Sequence, residues 1–82
     1  MKKPHIQLLS RRDCCLCEDA KLVVAALAEQ GLCSWETVNV DRDKSLLVRY
    51  GMDVPVLLVD GNELVRHRVS ETALKLSLLE YS

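Results

Sequence analysis

Apolar residues along the chain follow two spacings, one typical of strands and one typical of helices. Residues 5–9 form a short run that is apolar on both faces, which predicts a strand inside a sheet. Residues 14–30 then predict a helix, because their apolar side chains recur at three- and four-residue spacing. This predicted apolar face consists of Leu16, Ala20, Val23, Val24 and Leu27. Gly31 follows the run and is favoured just past a helix end.

The middle of the chain predicts a second strand and a short helix. Residues 35–40 are rich in Val, Thr and Trp, which favour strands. Asp41 or Asp43 can then cap a helix of about two turns that ends at Gly51. A strand, a helix and a strand within about 35 residues are typical of a βαβ unit, so the first two strands should be parallel.

The last third predicts a hairpin and a final helix. Residues 54–59 form an apolar strand, and the pair Asp60-Gly61 predicts a turn into a fourth strand at residues 63–66. Ser70 is placed as the N-cap of the last helix, with Val69 and Leu74 as a hydrophobic staple. The residues predicted to face the sheet from this helix are Leu74, Leu78 and Tyr81.

These elements predict an α/β fold of the order β-α-β-α-β-β-α. Strands that are apolar on both sides need cover on both faces, so the four-strand mixed sheet should be flanked by helices. A length of 82 residues predicts a single domain over residues 1–82. The apolar fraction of 49% is enough for one small core.

Charge and hydropathy narrow the classes of function. The net charge is −1, with both signs mixed, so we expect no nucleic-acid partner. No apolar run approaches the ~20 residues of a membrane span, so no membrane partner is expected. Residues 1–4 lack the apolar region and cleavage site of a signal peptide, which leads us to expect a cytoplasmic protein.

Three of the four cysteines lie within four positions of one another. A secreted disulfide framework would join distant segments, whereas clustered cysteines favour redox chemistry or metal binding. Cys14 and Cys17 lie where the first predicted strand leads into the first helix. A helix N-terminus presents unpaired N–H groups and a partial positive charge, which favour the thiolate form of Cys14.

The Cys-x-x-Cys spacing predicts different roles for the two thiols. Cys14, at the helix start, should attack a substrate disulfide and form a mixed disulfide. Cys17, one turn further on and more covered, should then attack that bond and release the reduced substrate. Arg11 and Arg12 precede the pair and either steer anionic substrates or are solvated loop residues.

The chain combines a Cys-x-x-Cys motif at a helix start with a βαβ unit, a Val-Pro pair before a hairpin and a final helix. This combination resembles the glutaredoxins, and more closely the small bacterial glutaredoxin-like proteins. The resemblance covers nearly the whole chain and includes the Cys-x-Leu-Cys form of the motif, present here at residues 14–17. It implies a thioredoxin-like fold and a cis bond between Val54 and Pro55 beside Cys14. It also implies that the Val54 backbone pairs with an extended substrate, in the manner of strand addition.

The resemblance further implies the partners of the reaction. These are a disulfide-containing protein or a glutathione mixed disulfide, and a thiol reductant or reductase, with glutathione as one candidate. The Gly-Gly-Asp-type segment that receives the glutathione carboxylate in glutaredoxins is replaced here by residues 66–71. The N–H groups after Ser70, or the charge of Arg66 or Arg68, could still bind an anion. We expect a monomer without a bound cofactor or metal, with Arg12 and Ser70 contributing to substrate binding.

Other interpretations of the cysteines stay open at this stage. A structural zinc site usually needs two separated ligand pairs, and Cys33, His5 and His67 show no such spacing. Two further alternatives to a thiol–disulfide oxidoreductase remain. The cysteines could hold an iron–sulfur cluster shared between subunits, or the protein could be a non-enzymatic thioredoxin-fold adaptor. Cys15 is either a spare reactive thiol or an inert residue, and Cys33 is predicted to be buried. His5 and His67 are predicted to lie on the surface, with no identifiable partner.

Overall fold

The chain forms strands and α-helices in the predicted order. The computed structural model describes residues 3–12 and 14–80. The elements are β1 (His5–Ser10), α1 (Cys15–Glu29), β2 (Ser34–Asn39), a 3-10 helix (Val40–Arg42), α2 (Lys44–Tyr50), β3 (Val56–Val59), β4 (Asn62–Arg66) and α3 (Glu71–Leu79). Within the described residues, no helix has the length and apolar character needed to cross a membrane.

The four strands form one mixed sheet in the order β2-β1-β3-β4. β1 runs parallel to β2, with Leu8 opposite Thr37, because α1 carries the chain back between them. β1 is antiparallel to β3, where Leu8 faces Leu57, and β3 is antiparallel to β4. The predicted mixed sheet is therefore confirmed, and β1 is an interior strand, as its two apolar faces indicated.

Helices cover both faces of the sheet and create two apolar cores. α1 and α3 pack on one face, in a cluster composed of Ile6, Leu8, Ala20, Val24, Leu27, Cys33, Leu57, Val59, Leu74 and Leu78. α2 covers the other face, in a smaller cluster composed of Leu9, Val40, Tyr50, Val56 and Leu58. Alternate side chains of β1 and β3 enter opposite cores, as the period of a strand requires.

Several element boundaries differ from the predicted ones for local reasons. Helix α1 begins at Cys15 because Cys14 is its N-cap in extended conformation. Strand β3 begins at Val56, after Pro55, which has no N–H to donate to a ladder. The 3-10 helix after β2 was not predicted; the side chain of Asn39 caps it by accepting a hydrogen bond from the Asp41 N–H at 2.9 Å. Tyr81 lies outside the described residues.

Leu16 is the one residue of the predicted apolar face of α1 that is exposed. Its side chain is 41% exposed, whereas Cys17 is 1% exposed. The buried stripe runs through Cys17, Ala20, Val24 and Leu27. Leu16 lies about 100° around the helix from Cys17, so it lies at the boundary between the buried and the exposed faces of α1. The prediction that Leu16 faces the core was wrong, because this rotation turns its side chain away from the sheet.

Two leucines of α1 provide a matched test of this packing. Leu27 is fully buried, whereas Leu22 is 71% exposed on the same helix. We expect Leu27→Ala to lower the free energy of unfolding by about 2–5 kcal/mol through lost burial and a cavity. Leu22→Ala should change it by less than about 0.5 kcal/mol. Urea unfolding of both variants checks this, and equal losses would contradict the orientation of α1.

Candidate active site

The sulfur of Cys14 caps the first turn of α1. Cys14 has extended backbone angles, with φ −102° and ψ 110°. Its Sγ atom accepts a hydrogen bond from the backbone N–H of Cys17 at 3.2 Å. This is the position in which a Ser or Asp oxygen usually caps a helix. The sulfur thereby satisfies one of the N–H groups that the first turn of a helix leaves without a partner.

Cys17 occupies the same turn and is almost completely buried. The pKa of the Cys17 thiol is raised from 9.0 to about 11. Burial is the largest cause of this shift, and a side-chain hydrogen bond with Cys14 is the second. A hydrogen bond with the backbone of Arg11 opposes this shift. At neutral pH the Cys17 side chain is therefore a neutral thiol. Cys14 lies beside it and is partly exposed, and neither cysteine forms a disulfide.

The other two cysteines lie in contrasting surroundings. Cys15 is exposed at the start of α1, directly beside Cys14 in the chain. Cys33 is 2% exposed within the larger core, where burial raises its pKa above the usual 9.0. The prediction that Cys33 is a buried residue is confirmed.

Arg11 connects the turn before Cys14 to the opposite face of the sheet. Its Nε donates to the Asp41 carboxylate at 3.1 Å, and its Nη1 donates to the Gly51 carbonyl at 3.3 Å. Arg11 is thus held in place, although the sequence could not distinguish a steering role from a solvated one. Arg12 is exposed, and it makes no ion pair with any other residue that the structure describes.

Val54 and Pro55 lie at the edge of the sheet where α1 begins. β3 starts just after Pro55, and Val56 is opposite Leu9 near the end of β1. Because β1 and β3 are antiparallel, the end of one and the start of the other meet at this edge. The Val54–Pro55 peptide bond is cis. The Pro55 carbonyl accepts a hydrogen bond from the His67 N–H at 2.8 Å.

A surface groove of about 370 Å³ lies between the start of α1 and the segment before α3. Its lining residues are Leu16, Asp19, His67, Arg68 and Val69. Leu16 is the third residue of the Cys-x-x-Cys motif, so one residue of the motif lines the groove. Because Leu16 is exposed, it contributes an apolar side chain to the lining of this groove.

Ser70 caps α3, as predicted. Its Oγ accepts a hydrogen bond from the Ala73 N–H at 3.4 Å. Ser70 does not line the groove. It lines a neighbouring cavity of about 160 Å³ between β4 and α3, and Arg68 lines both spaces.

Asp53 and His67 form a cluster that the sequence prediction missed. The His67 Nε2 atom lies 3.0 Å from Asp53 Oδ1, and Arg66 Nη1 lies 3.2 Å from Asp53 Oδ2. The sequence identified no partner for either histidine, and the structure shows one for each, since His5 Nε2 likewise lies 3.3 Å from the Glu36 carboxylate. The contact of Asp53 with His67 depends on the register of the hairpin, in which Val56 lies opposite Arg66. The sequence predicted the hairpin but not this register. Both histidines are exposed, as predicted.

The clustered cysteines do not form a metal site with neighbouring side chains that the structure describes. Among residues 3–12 and 14–80, no group of three or more His, Cys, Asp or Glu side chains is arranged to hold a metal ion.

Comparison with solved structures defines the class of fold. A mutant thioredoxin from Halobacterium salinarum superposes with a TM-score of 0.72 at 28% identity, covering 98% of this chain and 75% of that one. A structural-genomics protein from X. campestris gives 0.72 at 33% identity, covering 94% of this chain and 97% of that one. Protein Ne2328 from Nitrosomonas europaea gives 0.81 at 22% identity over 94% and 93% of the two chains, a likeness in fold alone. The chain thus has the thioredoxin-type fold.

The family follows from a match over most of the sequence. Residues 5–79 match the model of the glutaredoxin-like domain family, DUF836. The chain belongs to this family, and the resemblance to glutaredoxin-like proteins is confirmed. It is a redox-type module of the thioredoxin superfamily.

The contact between the two thiols leads to a prediction about Cys17. The hydrogen bond with Cys14 and the charge of Cys14 both raise the pKa of Cys17, while burial raises it independently. Cys14→Ala should therefore lower the pKa of Cys17 below about 11, and burial should keep it above 9.0. The measurement is the pH dependence of thiolate ultraviolet absorbance, with Cys15 and Cys33 replaced in both proteins. An unchanged Cys17 titration would show that Cys14 does not act on it.

Proposed function

We propose that this protein is a thiol–disulfide oxidoreductase in which Cys14 is the nucleophile and Cys17 the resolving thiol. The observation that supports this most directly is the capping geometry, in which Cys14 Sγ receives the Cys17 N–H at 3.2 Å. It presents one sulfur at a helix N-terminus and keeps the second in the same turn, almost fully buried. The glutaredoxin-like family and the thioredoxin-type fold support the same chemistry.

In the first step, the Cys14 thiolate attacks one sulfur of a substrate disulfide. A bond forms between Cys14 and that sulfur, and the other half of the substrate leaves as a thiolate that takes up a proton. The half-exposed position of Cys14 admits the substrate, whereas a buried sulfur would be shielded from it. The helix N-terminus favours the attacking anion.

In the second step, Cys17 loses its proton and attacks the Cys14 sulfur of the mixed disulfide. The second half of the substrate leaves as a thiol, and Cys14 and Cys17 remain joined by a disulfide. Overall, the substrate disulfide gains two electrons and two protons, and the protein dithiol loses them. A thiol reductant then restores the dithiol, and glutathione is the candidate that the family suggests.

Charge and shape around the thiol pair suggest how the substrate binds. We assign Val54 and Pro55 to the floor of the substrate site, because they lie at the sheet edge where α1 begins. Arg12 is exposed beside the motif and can attract an anionic substrate. Ser70 contributes through the start of α3, whose N–H groups favour an anion. The substrate class is a disulfide-containing protein or a glutathione mixed disulfide.

We further propose that the protein is cytoplasmic and monomeric. Reducing compartments maintain thiols, and a dithiol reductase needs a supply of reductant to turn over. The mixed charge of the chain gives no reason to invoke a nucleic-acid partner.

Trapping the mixed disulfide tests the mechanism. Cys17→Ser should leave the first step intact and remove the second, so a stable adduct should accumulate when the variant meets the mixed disulfide of glutathione and a cysteine peptide. Intact-mass analysis and fragmentation should place the adduct on Cys14. Cys15→Ser combined with Cys17→Ser is the matched control and should trap the same adduct.

Two results would contradict this mechanism. One is the absence of any adduct on the Cys17→Ser variant, and the other is an adduct that disappears when Cys15 is replaced. The first would favour a binding module, and the second would make Cys15 the nucleophile.

A further inference from the structure

The segment Asp53, Val54 and Pro55 is fastened at both ends to the end of β4. At one end, the Asp53 carboxylate contacts His67 Nε2 at 3.0 Å and Arg66 Nη1 at 3.2 Å. At the other end, the Pro55 carbonyl accepts the His67 N–H at 2.8 Å. Val54 lies between these two attachments. We refer to the contacts of Asp53 with Arg66 and His67 as the Asp53 clamp.

The backbone of His67 supports the view that this arrangement is enforced by its surroundings. His67 has a φ of 67°, in the left-handed region that side-chain-bearing residues seldom adopt. Such a conformation persists where neighbouring contacts hold it, and it is frequent at functional sites. Here the contacts are the His67 N–H to Pro55 and the imidazole to Asp53.

His67 also lines the groove that Leu16 of the Cys-x-x-Cys motif borders. Its side chain lines the groove together with Leu16 and Asp19. The Asp53 clamp therefore fixes two parts of the site at once, the backbone of Val54 and the wall formed by His67. A shift of Asp53 would disturb both without touching either cysteine.

We propose that Asp53 and His67 are positioning residues, which hold Val54 and the groove wall in the geometry that receives the substrate disulfide. This inference rests on the proposed oxidoreductase function. It assigns a role to a pair outside the Cys-x-x-Cys motif and the Val54-Pro55 pair.

The exposure of the clamp separates positioning from general stability. The side chains of Asp53 and His67 are 32% and 54% exposed. Ion pairs this exposed contribute little to the stability of a whole domain. Arg66 additionally contacts Glu63, so it keeps a partner when Asp53 is neutralised. Loss of the clamp should therefore affect substrate binding more than folding.

Single-turnover kinetics of the pre-reduced protein test the proposal without any assumption about the natural reductant. The probe is the mixed disulfide between glutathione and a short extended cysteine peptide, varied in concentration. Asp53→Asn and His67→Gly should each raise the half-saturating concentration roughly tenfold, because misplaced binding groups weaken productive binding. His67→Gly retains a residue suited to positive φ, so it removes the imidazole without straining the backbone.

Three further variants make the result specific. Asp60→Asn is the matched control, an identical chemical change at an exposed residue in the β3–β4 turn, and should leave the kinetics unchanged. Asp53→Glu keeps the carboxylate and should restore part of the affinity. The losses in the Asp53→Asn and His67→Gly double variant should be less than additive, because both changes affect the contact between Asp53 and His67.

The proposal is overturned if neither single variant changes the half-saturating concentration. It is also overturned if the loss appears in the limiting rate with a clear fall in melting temperature, since that result indicates general destabilisation. Failure of the unmodified protein to react with the probe would be a different outcome. It would remove the proposed oxidoreductase function and the role of the clamp with it.

Discussion

The hydrogen bond from the Cys17 N–H to the Cys14 sulfur links the chemistry of this protein to its fold. It closes the first turn of α1, so the helix begins only where the Cys14 sulfur takes the place of a capping oxygen. The same turn directs Cys17 into the buried stripe of α1, where burial raises its pKa. One sulfur is therefore accessible and the other is protected, and this difference follows from their positions on a single helical turn. A change that moved the start of α1 by one residue would remove this difference in accessibility between Cys14 and Cys17.

Two charged residues, Arg11 and Asp53, hold the surroundings of this turn. Arg11 connects the residues before Cys14 to Asp41 and Gly51 on the α2 side of the sheet. Asp53 connects the residues before Pro55 to the end of β4. Exposed pairs of this kind typically contribute about 0–1 kcal/mol to stability, so their importance lies in local geometry. The two cores provide the stability of the sheet, and these contacts determine how the loops at its edge are arranged.

Local patterns in the sequence were sufficient to predict the elements, their order and the parallel pairing of β1 with β2. The N-cap at Ser70 and the hairpin at Asp60-Gly61 were also visible, because each depends on residues adjacent in the chain. The clamp between Asp53 and His67 was not visible, because it joins residues 14 positions apart through a hairpin whose register is a tertiary property. The exposure of Leu16 was missed for a related reason. Spacing alone defines an apolar face to within one residue, and only packing against the sheet decides its centre.

The pairing of Cys14 with Cys17 is the central claim, and it can be measured in one peptide. All four cysteines are free in the structure, and trypsin releases residues 13–21 with Cys14, Cys15 and Cys17 together. After mild oxidation and alkylation, tandem mass spectrometry should find this peptide with a single alkyl group, on Cys15. Its mass should be two hydrogen atoms below that of the reduced peptide carrying one alkyl group. An alkyl group on Cys17 would place the disulfide between adjacent residues. A peptide alkylated at all three cysteines would show that no such disulfide forms, and either result would contradict the account.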